Sequence, residues 1–144
     1  MDDLQDVYKD LIMEHSMNSY NNKKLETCDL CEMGHNPNCG DEIELQVKLN
    51  GDVIEDMAFS GHGCAISQAS TSIMIDTLKG KTLEEAKQII DTFIGMIKRE
   101  ITDEEELKKL DEAIALRNVS NMPARVKCAL LAWHTLEDMI EKLK

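Results

Sequence analysis

Ile43, Leu45, Val47 and Leu49 alternate with Glu44, Gln46 and Lys48, and Asn50-Gly51 follows at once. A period of two puts one apolar strand face on the core, and Asn-Gly takes the positive φ angles of a tight primed turn. The chain is therefore expected to fold back here into a second strand from about Val53 to Phe59. Glu55 interrupts the apolar row of Val53, Met57 and Phe59, which leaves the register of that strand less sharply set than the first. Leu25 to Glu32 offers a third, edge strand.

Helical spacing dominates the remainder. Leu4, Val7, Leu11 and Ile12 recur as on an amphipathic helix from about Asp3 to His15, which the polar run Asn18-Ser19-Tyr20-Asn21-Asn22 ends. After Gly61-His62-Gly63-Cys64, small residues Ala65, Ser67, Ala69 and Ser70 mix with Ile66, Ile73 and Leu78 on a helix able to approach the sheet closely. Thr82 with Glu85, and Thr102 with Glu105, match capping boxes, so further helices are expected to begin near Leu83 and Asp103. The acidic run Asp103-Glu104-Glu105-Glu106 then reads as the solvated first turn of the second of these. Pro123 suits the first turn of a last helix, where its missing N–H is no loss, with Leu130, Leu131, Leu136 and Ile140 as the apolar face. Trp133, Met13, Met74, Met96 and Met139 are assigned to packing.

A chain of 144 residues with 42% hydrophobic content suits one domain, residues 1–144, around one core. Its 28 acidic against 16 basic residues give a formal charge of -12, which disfavours nucleic-acid phosphates and anionic lipid surfaces as partners. No apolar run reaches the roughly 18 residues of a membrane helix, and Met1-Asp2-Asp3 is acidic where a secretory signal is basic. The expectation is a cytoplasmic protein with neither nucleic acid nor membrane as a partner.

Five cysteines cannot all pair within one chain, and clustered cysteines in a reducing compartment are more often ligands or catalysts. Cys39, Cys64 and Cys128 each sit where a chain element exposes a thiolate, and Asp41 follows Cys39 by two residues. Gly40 lets Cys39 and Asp41 converge, Pro37 stiffens the approach, and Gly61 and Gly63 allow a sharp exit from the second strand. A helix beginning at Cys64 lowers its thiol pKa, while Arg125 and Lys127 are placed to favour the ionised form of Cys128. Three thiolates and one carboxylate complete a tetrahedral zinc shell without histidine. His35 and His62 flank these loops and His15 and His134 lie on helices, where an imidazole is more often exposed or bonded in the core. Cys28-Asp29-Leu30-Cys31 stands apart, open to a structural, metal-binding or redox role.

Asn-Pro-x-Cys-Gly-Asp at 36–41, Gly-x-Gly-Cys-x-Ile-Ser at 61–67 and Pro-Ala-Arg-x-Lys-Cys-Ala-x-Leu-x-Trp at 123–133 together resemble the SufU branch of the IscU/NifU-type iron–sulfur cluster assembly proteins. The resemblance covers nearly the whole chain, with three separated motifs in order. The segment around Arg99 to Leu116 looks like the helical insertion of that branch, and Lys127 stands where IscU-like proteins usually carry a ligating histidine. Cys28 and Cys31 are outside the family motif, and residues 19–23 lack the Pro-Arg that relatives often carry nearby.

The resemblance implies an α+β fold, a small antiparallel sheet packed with several helices, and Zn2+ held by Cys39, Asp41, Cys64 and Cys128. It implies a sulfur acceptor rather than an enzyme that turns over alone. Persulfide sulfur would come to Cys39 from a SufS-like, pyridoxal-phosphate-dependent cysteine desulfurase and pass on to other iron–sulfur assembly proteins, with a transient iron–sulfur cluster on the same ligands. Sulfur exchange needs a thiolate, which agrees with metal-held Cys39, and the harder donor Asp41 suits ligand exchange. Cys28 and Cys31 are then candidates to resolve a persulfide. A zinc-stabilised adaptor domain with buried, closed ligands is the rival reading, and a thiol–disulfide oxidoreductase at Cys28 and Cys31 a third. Ligands drawn from turns and helix starts, expected at the surface, favour the relay.

Overall fold

The computed structural model describes residues 10–15, 21–36 and 40–143. Three strands, β1 (Leu30–Asn36), β2 (Asp41–Asn50) and β3 (Val53–His62), form one antiparallel sheet in the order β1-β2-β3. Helices α1 (Ala65–Leu78), α2 (Leu83–Ile97), α3 (Glu104–Leu107) and α4 (Pro123–Glu141) follow, with a 3-10 stretch, Lys108–Asn121, between α3 and α4. This is the expected α+β arrangement. No helix among the described residues is long and apolar enough to cross a membrane.

The β2–β3 hairpin closes at Asn50 opposite Val53, with Gly51 at φ 65°. Ile43, Leu45 and Val47 point into the core. Glu55 explains why the second strand alternates poorly: Lys48 faces Asp56 and Leu49 faces Ile54, so Glu55 is the extra residue of a β-bulge. A bulge shifts the side-chain phase by one, and the buried row accordingly runs Ile54, then Met57 and Phe59. The strand also continues three residues beyond Phe59, to His62.

The edge strand lies later than expected, at Leu30–Asn36 instead of Leu25–Glu32. The Leu25 N–H donates to the side chain of Gln46 (2.8 Å) and not to the ladder, whereas Leu30 to Asn36 pair with Val47 back to Asp41. Gly34 hides this strand from a search for alternating apolar residues. A Cβ there would lie 2.4 Å from Thr135 Oγ1 and 3.4 Å from Leu131 Cδ1, so a bare backbone is what lets β1 lie against α4.

Small side chains make α1 a buried central helix, as their pattern suggested. Ser70 donates to the Ala129 carbonyl (2.6 Å) and accepts from Trp133 Nε1 (2.9 Å), joining α1 to α4. Trp133 is fully buried and stacks on Phe93 of α2 at 3.9 Å between ring centres. The Thr82–Glu85 capping box forms at the start of α2. The second expected box does not: Asp103 rather than Thr102 caps α3, accepting from the Glu105 N–H (3.0 Å). A carboxylate one residue later takes the cap, and Glu104 to Glu106 do form an exposed first turn. That helix lasts only four residues before the 3-10 stretch, which kinks at Asp111 (φ 49°).

Residues 10–15 are helical, while residues 3–9 and 18–20 of the expected first helix and its end lie outside the described residues. Met13 is 50% exposed, contrary to its assignment to packing, whereas Met74, Met96 and Met139 are buried.

Candidate metal centre

Three chain elements end at one side of the sheet. Asn36 closes β1 opposite Asp41, which opens β2, and β3 runs out through Gly61 to Gly63 before Cys64 starts α1. Gly61 adopts φ 121°, and a Cβ on it would sit 2.2 Å from the Glu42 carbonyl oxygen. Only glycine fits that crossing of two backbones. Gly40, at φ 70°, makes the left-handed approach to Asp41.

Asp41 is fully buried. Its Oδ1 accepts from the Cys64 N–H (2.8 Å), and a Cβ on Gly63 would come within 2.8 Å of the same oxygen. Its Oδ2 is buried with no hydrogen-bond partner among the described residues. Cys64 is half-buried and is the N-cap of α1, its Sγ accepting from the Ser67 N–H (3.4 Å). Cys128 enters from α4, 1% exposed, with Asn36 Nδ2 donating towards its Sγ at 3.9 Å.

Ligand-capable atoms of Asp41, Cys64 and Cys128 all lie within 4.8 Å of one another. An unpaired oxygen on a buried carboxylate is costly unless a cation or donor meets it. Two sulfurs and a carboxylate oxygen are the donors a borderline-soft cation such as zinc takes, so the residues fit the metal that the sequence implied. Cys39 lies outside the described residues. Asp41 and Cys128 are buried rather than at the surface as expected, and Cys64 is the partly open member.

His35 and His62 are 54% and 74% exposed, and each lies 3.9 Å from the Glu42 carboxylate. Neither belongs to the group of converging ligand atoms. Arg125 and Lys127 are exposed on the first turns of α4, and Lys127 lines a groove with His35, Asn36, Leu130, Leu131 and His134. Cys28 and Cys31 are joined to each other as a disulfide, which removes both as metal ligands and as free thiols. A turn entering β1 brings their Cα atoms within 6.5 Å. Cys31 also stands five residues along β1 from Asn36, roughly 16 Å at the rise of a strand.

Sequence reasoning missed a second group. His15, Asp76 and Glu112 come from three separate elements and have ligand-capable atoms within 4.8 Å of one another. His15 is buried, its Nδ1 2.6 Å from Ser72 Oγ and its Nε2 3.7 Å from Asp76, which ties residues 10–15 to α1. No spacing along the chain announces such a meeting. Asn36 was quoted only as a motif letter, and Ser67 only as that and as a small helix residue, yet both touch the ligand side chains.

Residues 7–144 match the model of the NifU-like N-terminal domain. The chain is 41% identical over 140 residues to the zinc-dependent sulfurtransferase SufU of Bacillus subtilis, covering 96% of this chain and 92% of the relative. It is 38% identical over 139 residues to the iron–sulfur cluster assembly scaffold protein IscU of Streptococcus pyogenes serotype M1, covering 96% and 86%. Among solved structures it resembles a protein from Fervidobacterium islandicum described as an iron–sulfur cluster assembly scaffold for the SUF system. That match has a TM-score of 0.86 and 40% identity over 94% of this chain and 98% of the other. The chain belongs to the family of NifU-like N-terminal domains.

Proposed function

We infer that this protein is a zinc-dependent sulfur acceptor and scaffold in iron–sulfur cluster assembly. The observation that carries the reading is the meeting of an Asp41 carboxylate oxygen with the sulfurs of Cys64 and Cys128, on a buried carboxylate whose Oδ2 has no partner among the described residues. The names of its relatives from B. subtilis and S. pyogenes support it. Asp41, Cys64 and Cys128, with Cys39, would hold the zinc. Cys39 precedes Asp41 by two residues, a reach of at most about 7 Å, so the tether suffices for its sulfur to join the others. The segment at 99–116 and Lys127 before Cys128 favour the SufU side of the family.

Bound zinc would supply a redox-inert positive charge that keeps the coordinating sulfurs ionised at neutral pH. The protein's own groups do the rest. The Cys39 thiolate attacks the terminal sulfur of a persulfide on a cysteine desulfurase. A new S–S bond forms on Cys39, the donor's S–S bond breaks, and its electron pair leaves on the desulfurase thiolate, so no outside oxidant or reductant is needed. The Cys64 N–H fixes Asp41 Oδ1, Asn36 directs its amide at Cys128, and α1 turns its N-terminus toward Cys64. Iron enters later, as cargo. A SufS-like desulfurase and further assembly proteins are the partners, and a cytoplasmic setting goes with an acceptor that must stay reduced.

Mixing the protein with a cysteine desulfurase and cysteine tests this. The expected result is faster turnover and, by mass, sulfur added at Cys39. Unchanged turnover with no adduct, on protein that contains zinc, would instead support the adaptor reading, which the burial of Asp41 and Cys128 favours.

A further inference from the structure

Ser67 is the other unsatisfied group at this centre. It is fully buried, and its Oγ has no hydrogen-bond partner among the described residues. Its backbone is already engaged: the N–H donates to Cys64 Sγ and the carbonyl accepts from Thr71 Oγ1 (2.8 Å). Gly63 shows where the hydroxyl faces. The point a Gly63 Cβ would occupy is 3.2 Å from Ser67 Oγ, 3.2 Å from Asp41 Cγ and 2.8 Å from Asp41 Oδ1. The serine hydroxyl and the aspartate carboxylate therefore flank one small gap that exists because residue 63 has no side chain.

A buried hydroxyl with no acceptor is unfavourable, and serines that simply pack in this helix show the usual remedy. Ser70 donates to a carbonyl of α4. Ser67 has a carboxylate across the gap instead. Carboxylates that bind metals are commonly held by hydrogen bonds from residues behind them, and losing such a partner typically weakens metal affinity about 10–100-fold.

We propose that Ser67 is a positioning residue for the metal centre: when the ion is bound, its hydroxyl donates to the Asp41 carboxylate across the gap at Gly63 and holds that ligand in its binding orientation. The Cys64 N–H already restrains Asp41 Oδ1, and Ser67 supplies a second donor on the Gly63 side of the same carboxylate. Both groups border the same point, 2.8 Å from Asp41 Oδ1 and 3.2 Å from Ser67 Oγ, which no side chain fills. The proposal rests on the zinc-centre reading above.

The test compares Ser67→Ala with the parent chain, using zinc titration against a competing chelator and melting of metal-free and zinc-loaded protein. The expected result is about 10-fold weaker zinc binding. Metal-free Ser67→Ala should melt no lower than the parent, because the substitution removes a buried unpaired hydroxyl. In an Asp41→Ala background, Ser67→Ala should change zinc affinity no further. Unchanged affinity in the single variant overturns the proposal. So does an equal loss of stability with and without zinc, which is the mark of plain packing, or a loss that persists without Asp41, which places its action on another ligand. A parent chain that binds no zinc would instead end the underlying reading of the site.

Discussion

The two ends of this small sheet obey different rules. At the Asn50-Gly51 end, the turn residues, the strand alternation and even the bulge at Glu55 agree with local backbone preferences. At the other end, where Asn36, Asp41, Gly61 and Cys64 meet, the chain buries a carboxylate oxygen and a hydroxyl with no partners among the described residues. Two backbones also cross there with no room for a Cβ. Natural sequences break local rules chiefly where function requires it. The difference thus separates the end that specifies the fold from the end proposed to carry the chemistry.

Paired glycine substitutions press this contrast hardest. Gly61→Ala must push a methyl group against the Glu42 carbonyl at 2.2 Å while holding φ at 121°. The loss should reach or pass the top of the roughly 1–3 kcal/mol usual for overpacking, and should abolish zinc binding as β2 and β3 separate beside Asp41. Gly51→Ala has the same type of dihedral problem, φ 65°, with nothing within 4 Å. It should cost about 1–2 kcal/mol and leave zinc affinity alone. Urea unfolding with zinc titration reads both, and equal losses at the two ends would dissolve the distinction.

The chemical end should also respond to its ion in a way the turn end cannot. Zinc at 100 times its dissociation constant should stabilise the chain by about 2.7 kcal/mol, seen as a melting shift that a chelator reverses. Asp41→Asn should erase most of that shift. The same variant should melt no lower than the parent without metal, since it removes a charge from a fully buried position. A metal-free Asp41→Asn that is clearly less stable would mean that the carboxylate serves the fold.

This division also accounts for what was legible in the sequence. The hairpin, the capping box at Thr82 and the start of α4 at Pro123 were readable because each rests on contacts within a few residues. The edge strand was misplaced because one of its inward positions is Gly34, justified by Leu131 and Thr135 of α4, far along the chain. Thr102 lost its cap to Asp103, a competition between neighbours that a pattern search does not weigh. Asp41, Cys64 and Cys128 were recognisable from donor chemistry and motif order. Their burial was not, because it depends on how elements far apart in the chain, β2, α1 and α4, pack together. The Cys28–Cys31 disulfide likewise depends on how the chain turns into β1.

That separation of roles makes the Cys28–Cys31 pair informative. With both sulfurs bonded to each other and Cys31 well up β1 from Asn36, Cys28→Ser with Cys31→Ser should leave zinc content and sulfur loading of Cys39 at parental levels. Mass measurement after incubation with a desulfurase checks this. Build-up of the adduct above the parental level would join the pair to the chemical end and make it a resolving dithiol, and loss of the adduct would make it part of the acceptor.

The smallest expected effect lies at the start of α2, far from the chemistry. The Glu85 carboxyl is held below its usual range, first by the Thr82 backbone N–H and then by the Thr82 hydroxyl. A depressed carboxyl pKa adds stability above its unfolded value and loses it as the pH falls through the folded one. The box should therefore contribute fully at neutral pH and fade in the acid range. Thr82→Ala should remove about 1 kcal/mol at pH 7 and less below the carboxylate range. Glu85→Gln should flatten that part of the acid profile, and Asp41→Asn should leave it in place. Should the site variant change the same limb of the curve, the capped helix and the metal end would be one cooperative unit, and the two-region description would have to give way.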